Sequence, residues 1–558
     1  MSKNSLSFEE NVSLLDEKSL SDIDSEAGRA DNDTRFPSAG EWASFGKRAI
    51  TGLPIPMRIP SRSHCRALMV KAGLFLLPSF ISSRLSHERP GPHRLGPTSY
   101  LDGMRGLAAF IVFFCHYFYT SFTIADGWGS NDANYDVLKL PFLRLMYAGP
   151  PMVAIFFIVS GYALSLKPLK LARGHKWSDF TTTMSSFVFR RALRLFLPTF
   201  VSTFMIVILL RLGAYEINRD FSHDKMYHWN VQETAPDYKG TMSEQLRDWA
   251  WNMFNFVHIW GWEKYGGSTY YDVHLWTIPI EFRASMMLFL TMVGLARLRT
   301  TVRMFCLAIV VAFSYRSDRW EMVLFYVGML YAELDIIRGA HTDPTTNHAL
   351  QVYPPPSQQA LPMSEPKPID YVGTGQTAVP KASGSKLGRL GWGMLATVSL
   401  YLLSQPDVNS ERTPGWIYLS SFIPEWVDDK YRYFQIIGAI LFVFCTARMP
   451  SLQRVFNSGP VQYLGKISYA IYLMHGPVLH TVGYSFEKWA WGVTGTEGDW
   501  YLIGFALAAV FVIPSVIWAA DVFWRLVDAP TVKLAKWLET KFIVSDERGE
   551  RSQAHGRS

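Results

Sequence analysis

The sequence predicts an all-α polytopic membrane protein with about ten transmembrane helices. The chain has 558 residues, of which 49% are hydrophobic and 15% are aromatic. Its apolar residues are gathered into long runs separated by charged blocks, which is typical of a chain that crosses a bilayer repeatedly. The net charge is +7, and the basic residues stand beside the apolar runs. This placement indicates orientation in a membrane and argues against a nucleic-acid partner.

Ten apolar segments are candidate spans. Two of them are shorter than the roughly 20 residues that a helix needs to cross a bilayer. These two are 303–316 and 391–404, and the other eight are 104–124, 148–166, 195–213, 275–295, 320–337, 433–448, 464–483 and 501–524.

The charges of the connecting segments alternate along the chain. Segment 167–194 holds seven basic residues and one acidic residue, whereas segment 214–273 holds five basic and nine acidic residues. Because basic loops remain on the cytosolic side, the alternation predicts that both termini are cytosolic and that 214–273 lies on the opposite side. The endoplasmic reticulum or another endomembrane is the expected location.

The chain divides into a membrane domain and flanking segments. Residues 1–66 are polar and predict a disordered cytosolic tail, and residues 67–99 predict an interfacial and linker segment. The transmembrane domain is expected over 100–535, with a flexible cytosolic loop at 339–389 that is interrupted by Pro, Ser and Gly. Residues 536–558 predict a cytosolic C-terminal tail.

Two residues that are costly inside a membrane share the first predicted span. Arg105 and His116 are eleven positions apart, which on an α-helix is three turns plus roughly 20°. Both side chains therefore lie on one helical face, with a rise of about 16 Å between them. A histidine about halfway along a span, above an arginine at the membrane edge, points to function. A neutral imidazole hydrogen-bonded inside the bundle is the alternative.

Further motifs follow this pair in a fixed order. They read LDGMRGLAAFIVFFCH at 101–116, FFIVSGYALS at 156–165, RRALRLFLP at 190–198, LWTIPIEF at 275–282 and YLGKISYAIYLMHGP at 463–477, with a weak DAP at 528–530. Together they resemble the acyltransferase 3 family of integral membrane acyltransferases, most of all its fungal branch. The resemblance implies the acyltransferase 3 fold and transfer of an acyl group, often acetyl, from a coenzyme A donor to an acceptor hydroxyl.

The catalytic residues predicted from the resemblance and the residue types are His116, Arg105 and Glu281. His116 is expected to act as general base toward the hydroxyl, since an imidazole titrates near neutral pH. Direct transfer is the preferred mechanism, and an acyl-imidazole intermediate is the alternative. Arg105 is expected to bind the donor and to pair with Asp102. Glu281 is expected to orient an imidazole or the acceptor site, with a partner from another span.

The donor site is predicted at the cytosolic end of the bundle. Its arginines suit the phosphates of acyl-CoA, although positive-inside placement also explains them. The Ser-Gly pair in the second span is expected beside the acyl-pantetheine arm, with close helix packing as the alternative. No permanent cofactor and no metal are expected. The predicted donor-binding residues are Arg105, Arg190, Arg191, Arg194, Ser160 and Gly161.

The acceptor site is predicted along the ninth span. Ser468, Tyr472 and His475 follow the spacing i, i+4, i+7 and form one polar stripe, for which interhelical hydrogen bonding is the alternative. Pro477 is expected to kink or end this helix. The predicted acceptor-binding residues are Trp276, Ser468, Tyr469, Tyr472 and His475.

These residues predict an O-acyltransferase that moves an acyl group, expected to be acetyl, from acyl-CoA to a small lipophilic alcohol. A terpenoid or polyketide of secondary metabolism fits this description. The expected partners are acyl-CoA, the alcohol and the lipid bilayer, and the oligomeric state is left open. An O-acyltransferase of cell-surface glycan or lipid and a non-enzymatic transporter of lipid or small molecules are the alternatives. A transporter has no need of an arginine cluster aligned with a buried base.

Overall fold

The structure is a computed structural model that describes residues 73, 75–85, 95–132, 134–259, 268–340 and 386–542. The tail predicted at 1–66, nearly all of the loop predicted at 339–389 and residues 543–558 lie outside the described residues. Within the described ranges the chain forms helices and no β-strand, as the sequence predicts.

The longer helices are numbered α1 to α15 in chain order, and short 3-10, α and π turns join some of them. Their bounds are Ser79–Leu85 (α1), Ser99–Phe118 (α2), Gly149–Arg173 (α3), Trp177–Arg211 (α4), Met242–Phe256 (α5), Thr277–Leu295 (α6), Thr300–Arg316 (α7), Trp320–Ile337 (α8), Lys386–Leu403 (α9), Arg432–Thr446 (α10), Pro450–Phe456 (α11), Gly459–Val478 (α12), Tyr484–Thr494 (α13), Asp499–Phe523 (α14) and Ala529–Phe542 (α15).

All ten predicted spans lie on helices, but not all of these helices are long and apolar enough to cross a bilayer. Five stretches of the described residues meet both requirements. A sixth is counted only if α10 and α11, which meet at a bend of 100°, form one span. Three acids, Glu321, Glu333 and Asp335, lower the apolar character of α8. The predicted count of ten is therefore not confirmed. The five stretches that qualify alone are Ser99–Phe118, Gly149–Arg173, Trp177–Arg211, Val273–Leu295 and Asp499–Phe542.

The basic segment predicted as a loop at 167–194 is almost wholly helical, so this prediction is wrong. α3 continues to Arg173, and α4 begins only four residues later at Trp177. The charged residues of this segment extend the two helices beyond their apolar parts. Three of the predicted donor arginines therefore lie on a helix and not in a loop. They are Arg190, Arg191 and Arg194.

The first predicted span also ends early. α2 stops at Phe118, so His116 lies in its last turn and not near the middle of a span. The segment that follows α4 explains this ending. The backbone N–H of Asn230 donates to the carbonyl of Thr120, and its side-chain amide donates to the carbonyl of Tyr119 at 2.6 Å. These bonds satisfy carbonyl groups at the helix end that have no partner within the helix.

The centre of the bundle is built on two close helix contacts. α2 packs on α12, where a Cβ added to Gly106 would lie 2.1 Å from the backbone nitrogen of Gly465. α3 packs on α8, where a Cβ added to Gly161 would lie 2.3 Å from the carbonyl oxygen of Phe325. Small residues allow helix backbones to approach this closely inside a membrane.

Part of the predicted interfacial segment is docked on α14. The Arg525 guanidinium donates hydrogen bonds to the carbonyl oxygens of Phe75 and Leu77. Arg525 also forms an ion pair with Asp521 at 3.5 Å, one turn earlier on the helix. The chain before α2 is thereby attached to the last long helix of the bundle.

The contact between α2 and α12 predicts the effect of enlarging Gly106. Gly106→Ala is expected to destabilise the protein by about 1–3 kcal/mol, because the added methyl meets backbone that cannot move aside. Gly391→Ala in α9 is the control, since nothing lies within 4 Å of its added Cβ. The midpoint of thermal unfolding in detergent measures both variants. Equal midpoints for Gly106→Ala and the wild type would contradict the close contact.

Candidate active site

α2 presents Arg105 and His116 to the same neighbour, α12. The Arg105 Nε donates to Ser468 Oγ at 3.0 Å, and Nη2 donates to the carbonyl of Gly465 at 3.3 Å. The His116 ring stacks on the His475 ring with centroids 5.2 Å apart. The predicted common face of Arg105 and His116 is thus confirmed, as is the polar stripe that carries Ser468 and His475.

Three imidazoles meet at one end of the bundle, which is called the histidine end. The ring centroid of His116 lies 4.2 Å from that of His274, and His274 lies 4.8 Å from His475. One nitrogen of each ring lies within 4.8 Å of the other two. His274 immediately precedes the LWTIPIEF motif. The sequence predicts site roles for His116 and His475, and the structure adds His274 to them.

Hydrogen bonding determines the tautomer of His475. Its Nδ1 lies 3.1 Å from the carbonyl oxygen of Ile471, and the side chain is fully buried. A carbonyl only accepts, so Nδ1 carries the hydrogen and Nε2 of the neutral ring is a bare acceptor. This Nε2 and the buried Nδ1 of His116 have no hydrogen-bond partner among the described residues. The cluster thus contains two buried ring nitrogens without a partner among the described residues.

A buried carboxylate from the segment after α4 joins the imidazoles. Glu233 accepts hydrogen bonds from His274 Nε2 at 2.7 Å and His480 Nε2 at 2.9 Å. The hydroxyls of Tyr119 and Tyr484 also donate to it. Burial raises the pKa of Glu233, but attraction to His274 and the hydrogen bonds from both histidines outweigh it, and the pKa lies well below the usual glutamate range. Glu233 is therefore an ionised hub for four donors.

His274 lies between two carboxylates. Its Nδ1 contacts Asp272 Oδ1 at 2.8 Å, on the side of the ring opposite Glu233. An imidazole can donate to both carboxylates only in its doubly protonated form. The geometry therefore fits an imidazolium held in a fixed orientation beside His116.

Local backbone geometry directs His480 toward the same carboxylate. α12 contains Pro477 and ends at Val478, as predicted, and a π-helical turn over Leu479–Gly483 follows. In a regular α-helix, residues five apart point about 140° away from each other. His475 and His480 therefore leave the helix in different directions: His475 stacks on His116, and His480 contacts Glu233. Such π turns are frequent at functional sites.

The three imidazoles also resemble a set of metal ligands. Ring nitrogens of His116, His274 and His475 lie close enough for one ion to be considered. Both nitrogens of His274 face carboxylates, however, which leaves only two imidazoles with an unpartnered nitrogen. Proton transfer uses such bare nitrogens directly. The absence of a metal stays a prediction.

The opposite end of the α2–α12 pair, the arginine end, holds the predicted donor arginines. Arg194 interacts electrostatically with Arg105, Arg190 and Arg191, so the four side chains form one cluster. Each arginine faces an acid as well. The partners are Asp102 for Arg105 at 3.4 Å, Glu539 for Arg190 at 3.1 Å, Glu281 for Arg191 at 2.7 Å and Asp528 for Arg194. Four acids thus oppose four arginines, and the predicted phosphate site stays a prediction.

Glu281 links three helices and does not contact the imidazoles. Its Oε1 accepts from Arg191 of α4 and from the Ser160 hydroxyl of α3 at 2.9 Å. The predicted partner from another span is confirmed. The carboxylates that bond an imidazole directly are Glu233 and Asp272, both at His274, and the expected role of Glu281 in orienting an imidazole or the acceptor site stays a prediction. The space beside Gly161 is filled by α8, which explains this glycine by packing.

The remaining predicted acceptor residues make contacts between separate segments of the bundle. The Tyr472 hydroxyl lies 2.6 Å from Thr277 Oγ1, and the Tyr469 hydroxyl donates to the carbonyl of Leu195 at 2.6 Å. Trp276 packs against the Arg432 guanidinium at 5.4 Å. Interhelical contacts account for these side chains, and their acceptor role stays a prediction.

A family model and three relatives match most of this chain. A family model described as an acyltransferase domain of the acyltransferase 3 type matches residues 98–335 and 375–525. O-acetyltransferase PaAT-1 of Phomopsis amygdali is 31% identical over 488 residues, covering 85% of this chain and 90% of the relative. Acyltransferase R4 of a Phoma species is 26% identical, with coverage of 81% and 97%. Acyltransferase clz18 of Cochliobolus lunatus is 25% identical, with coverage of 80% and 96%. No solved structure matches.

The described residues include helices that are long and apolar enough to cross a membrane, and the matched family is one of acyltransferases. The chain belongs to the acyltransferase 3 family. It is an O-acyltransferase, as the motifs predict.

The Glu233 hub gives a prediction about stability. Glu233→Gln is expected to destabilise the protein by about 3–5 kcal/mol. The amide nitrogen of glutamine cannot accept the hydrogen bonds that His480 and Tyr484 make to Oε2, and His274 keeps only Asp272 as a buried counter-charge. Since the pKa of Glu233 is lowered, this stability is present above the usual glutamate range and is lost only as the pH falls below it. Thermal unfolding at neutral pH in detergent measures the change.

Glu216→Gln is the matched control for Glu233→Gln. Glu216 forms a partly exposed ion pair with Arg219 at 2.7 Å, and exposed pairs contribute about 0–1 kcal/mol. An equally small effect at Glu233 would contradict the view that it is an ionised hub.

Proposed function

We propose that the protein transfers an acetyl group from acetyl-CoA to the hydroxyl of a small lipophilic alcohol, with His116 as general base. The observation that carries this proposal is the pair of buried ring nitrogens without a partner, Nδ1 of His116 and Nε2 of His475, beside the fixed charges of His274 and Glu233. A neutral His116 ring has one nitrogen without a hydrogen, and this lone pair can accept the hydroxyl proton.

The reaction proposed at His116 is a direct transfer. The hydroxyl oxygen attacks the thioester carbonyl carbon while His116 takes the hydroxyl proton. The carbon–sulfur bond then breaks, and the imidazolium returns the proton to the leaving thiolate, giving the ester and free coenzyme A. The alternative mechanism passes through an acetyl group bound covalently to His116. It predicts that radiolabel stays on the protein when labelled acetyl-CoA is supplied without alcohol.

The donor is proposed to lie alongside the α2–α12 pair and not between the two helices, because their backbones touch at Gly106 and Gly465. A helical rise of about 16 Å separates Arg105 from His116, so an extended pantetheine arm could connect anionic phosphates at the arginine end with a thioester at the histidine end. The hydrogen bonds to Ser468 and Gly465 use two of the five N–H donors of Arg105. The remaining donors can bind a phosphate oxygen or a pantetheine carbonyl.

The acceptor and the orientation complete the proposal. Relatives of this chain carry the names O-acetyltransferase and acyltransferase and come from fungi, which favours acetyl transfer to a small molecule such as a terpenoid or polyketide. We propose that the arginine end faces the cytosol, where acetyl-CoA is available, and that the protein resides in an endomembrane. The bilayer would then deliver the lipophilic alcohol.

Removal of the proposed base gives the first test. His116→Ala is expected to lower transfer from radiolabelled acetyl-CoA to an accepted alcohol by about 10²–10⁴-fold, the contribution of a general base. His223→Ala, which alters an exposed histidine, is the control and should keep wild-type turnover. Wild-type turnover in His116→Ala protein with unchanged thermal unfolding would refute the proposed base.

Arg105 tests the proposed donor site. Arg105→Ala is expected to raise the KM for acetyl-CoA about tenfold or more, since a charge-assisted hydrogen bond to the donor is lost. The KM for the alcohol should stay within about twofold. Arg105→Lys should recover part of the affinity because it keeps the charge. Arg454→Ala, an exposed residue of α11, is the control. An unchanged KM for acetyl-CoA would show that Arg105 only anchors the helix.

A further inference from the structure

Glu281 is bonded between helices, yet it is not enclosed by them. Its Oε1 accepts a hydrogen bond from Arg191 Nη2 of α4 at 2.7 Å and another from the Ser160 hydroxyl of α3 at 2.9 Å. The Glu281 side chain is nevertheless 21% exposed. The carboxylate therefore borders a space that the surrounding helices leave open.

The second carboxylate oxygen of Glu281, Oε2, is available to a ligand. Both hydrogen bonds go to Oε1, and Oε2 has no hydrogen-bond partner among the described residues. Oε2 is not fully buried, in contrast to the unpartnered Nδ1 of His116 and Nε2 of His475. An ionised carboxylate oxygen accepts hydrogen bonds and donates none, so the group that binds here must be a donor.

The charges around Glu281 indicate which kind of donor fits. Arg191 forms an ion pair with it, so the negative charge already has a counter-charge. Arg191 also donates from Nε to Ser285 Oγ at 3.0 Å, which fixes the guanidinium in this position. What Oε2 lacks is a hydrogen bond and not a counter-ion. A neutral N–H donor meets this need, whereas an ammonium group would bring an unbalanced charge into a partly buried place.

Glu281 lies between the two ends of the proposed donor site. α6 begins at the histidine end, where Thr277 Oγ1 lies 2.6 Å from the Tyr472 hydroxyl. Glu281 follows about one turn later, after a rise of about 6 Å, and its partner Arg191 belongs to the arginine cluster. Tyr469 and Tyr472 of α12 interact electrostatically with Glu281. Glu281 is therefore close to the helix beside which the donor is proposed to lie.

We propose that Glu281 Oε2 binds an amide N–H of the pantetheine arm of acyl-CoA. This arm joins the phosphates to the thioester, and it carries two amide groups, each with one neutral N–H donor. A donor bound at both ends presents these amides along its middle, which is where Glu281 lies. This assignment rests on the proposed function and adds the group that recognises the middle of the donor.

Analogues of coenzyme A test the assignment on the purified full-length protein in detergent. In each of two analogues an ester oxygen replaces one amide N–H, so the arm keeps its carbonyl groups and loses one donor. Isothermal titration calorimetry compares the Kd of each analogue with that of coenzyme A. We expect one analogue to bind about tenfold more weakly, because a hydrogen bond to a charged acceptor is lost.

Glu281→Gln distinguishes recognition of the amide from general damage to the site. Glutamine keeps the size of the side chain but has only one acceptor oxygen, which Arg191 and Ser160 would occupy. This variant is expected to bind coenzyme A about tenfold more weakly and to lose the preference over the ester analogue. Glu281→Asp, whose shorter side chain withdraws the carboxylate, should lose the preference as well and serves if Glu281→Gln does not fold. Glu497→Gln, at an exposed position before α14, is the control and should keep the wild-type values.

The His116→Ala variant separates this assignment from the proposed reaction. It should keep the preference for coenzyme A over the ester analogue even when transfer is lost. Two results would overturn the assignment: equal Kd values of the wild type for coenzyme A and both analogues, or a full preference that remains in the Glu281 variants. A wild type that binds no coenzyme A would overturn the proposed function together with the assignment.

Discussion

The structure depends above all on the close approach of α2 and α12. Gly106 and Gly465 bring the two backbones so near that a Cβ on Gly106 would overlap a backbone nitrogen. At this separation the α2 arginine reaches Ser468, and three turns further along His116 stacks on His475. One helical register therefore sets both ends of the site, because any rotation of α2 would move both residues off the α12 face together.

The histidine end adds a second constraint, which is the balance of buried charge. Glu233 and Asp272 are enclosed with the imidazolium of His274, and each acid would be unfavourable there without that cation. The groups come from separate parts of the chain, so the cluster forms only when the segment after α4 is seated over the end of α2. The charges of Glu233, Asp272 and His274 are held in fixed positions beside His116. The proposed base therefore has a pre-organised electrostatic environment that water could not provide.

Helical spacing predicted much of the site and little of what orients it. The common face of Arg105 and His116 and the stripe from Ser468 to His475 follow from 3.6 residues per turn. Glu233 lies in an irregular segment with no periodic signal, and the sequence did not predict it. His480 was missed because it lies outside the stripe from Ser468 to His475 and its partner, Glu233, comes from a distant segment. His274 was visible beside LWTIPIEF, with Asp272 two positions before it, and this spacing was the available signal. The acids opposite the arginine cluster could not be predicted because they arrive from distant helices.

The central claim is that the donor lies alongside the α2–α12 pair, from the arginine end to His116. The most direct measurement is an electron cryomicroscopy structure with a ketone analogue of acetyl-CoA in which a methylene group replaces the thioester sulfur. The account predicts that the phosphates of the analogue lie at the arginine end. It also predicts that the carbonyl carbon of the analogue lies near His116, where the oxygen of an acceptor hydroxyl bonded to His116 would be about 3–3.5 Å from that carbon. A carbonyl bound away from the α2–α12 interface, with the three imidazoles untouched, would contradict it.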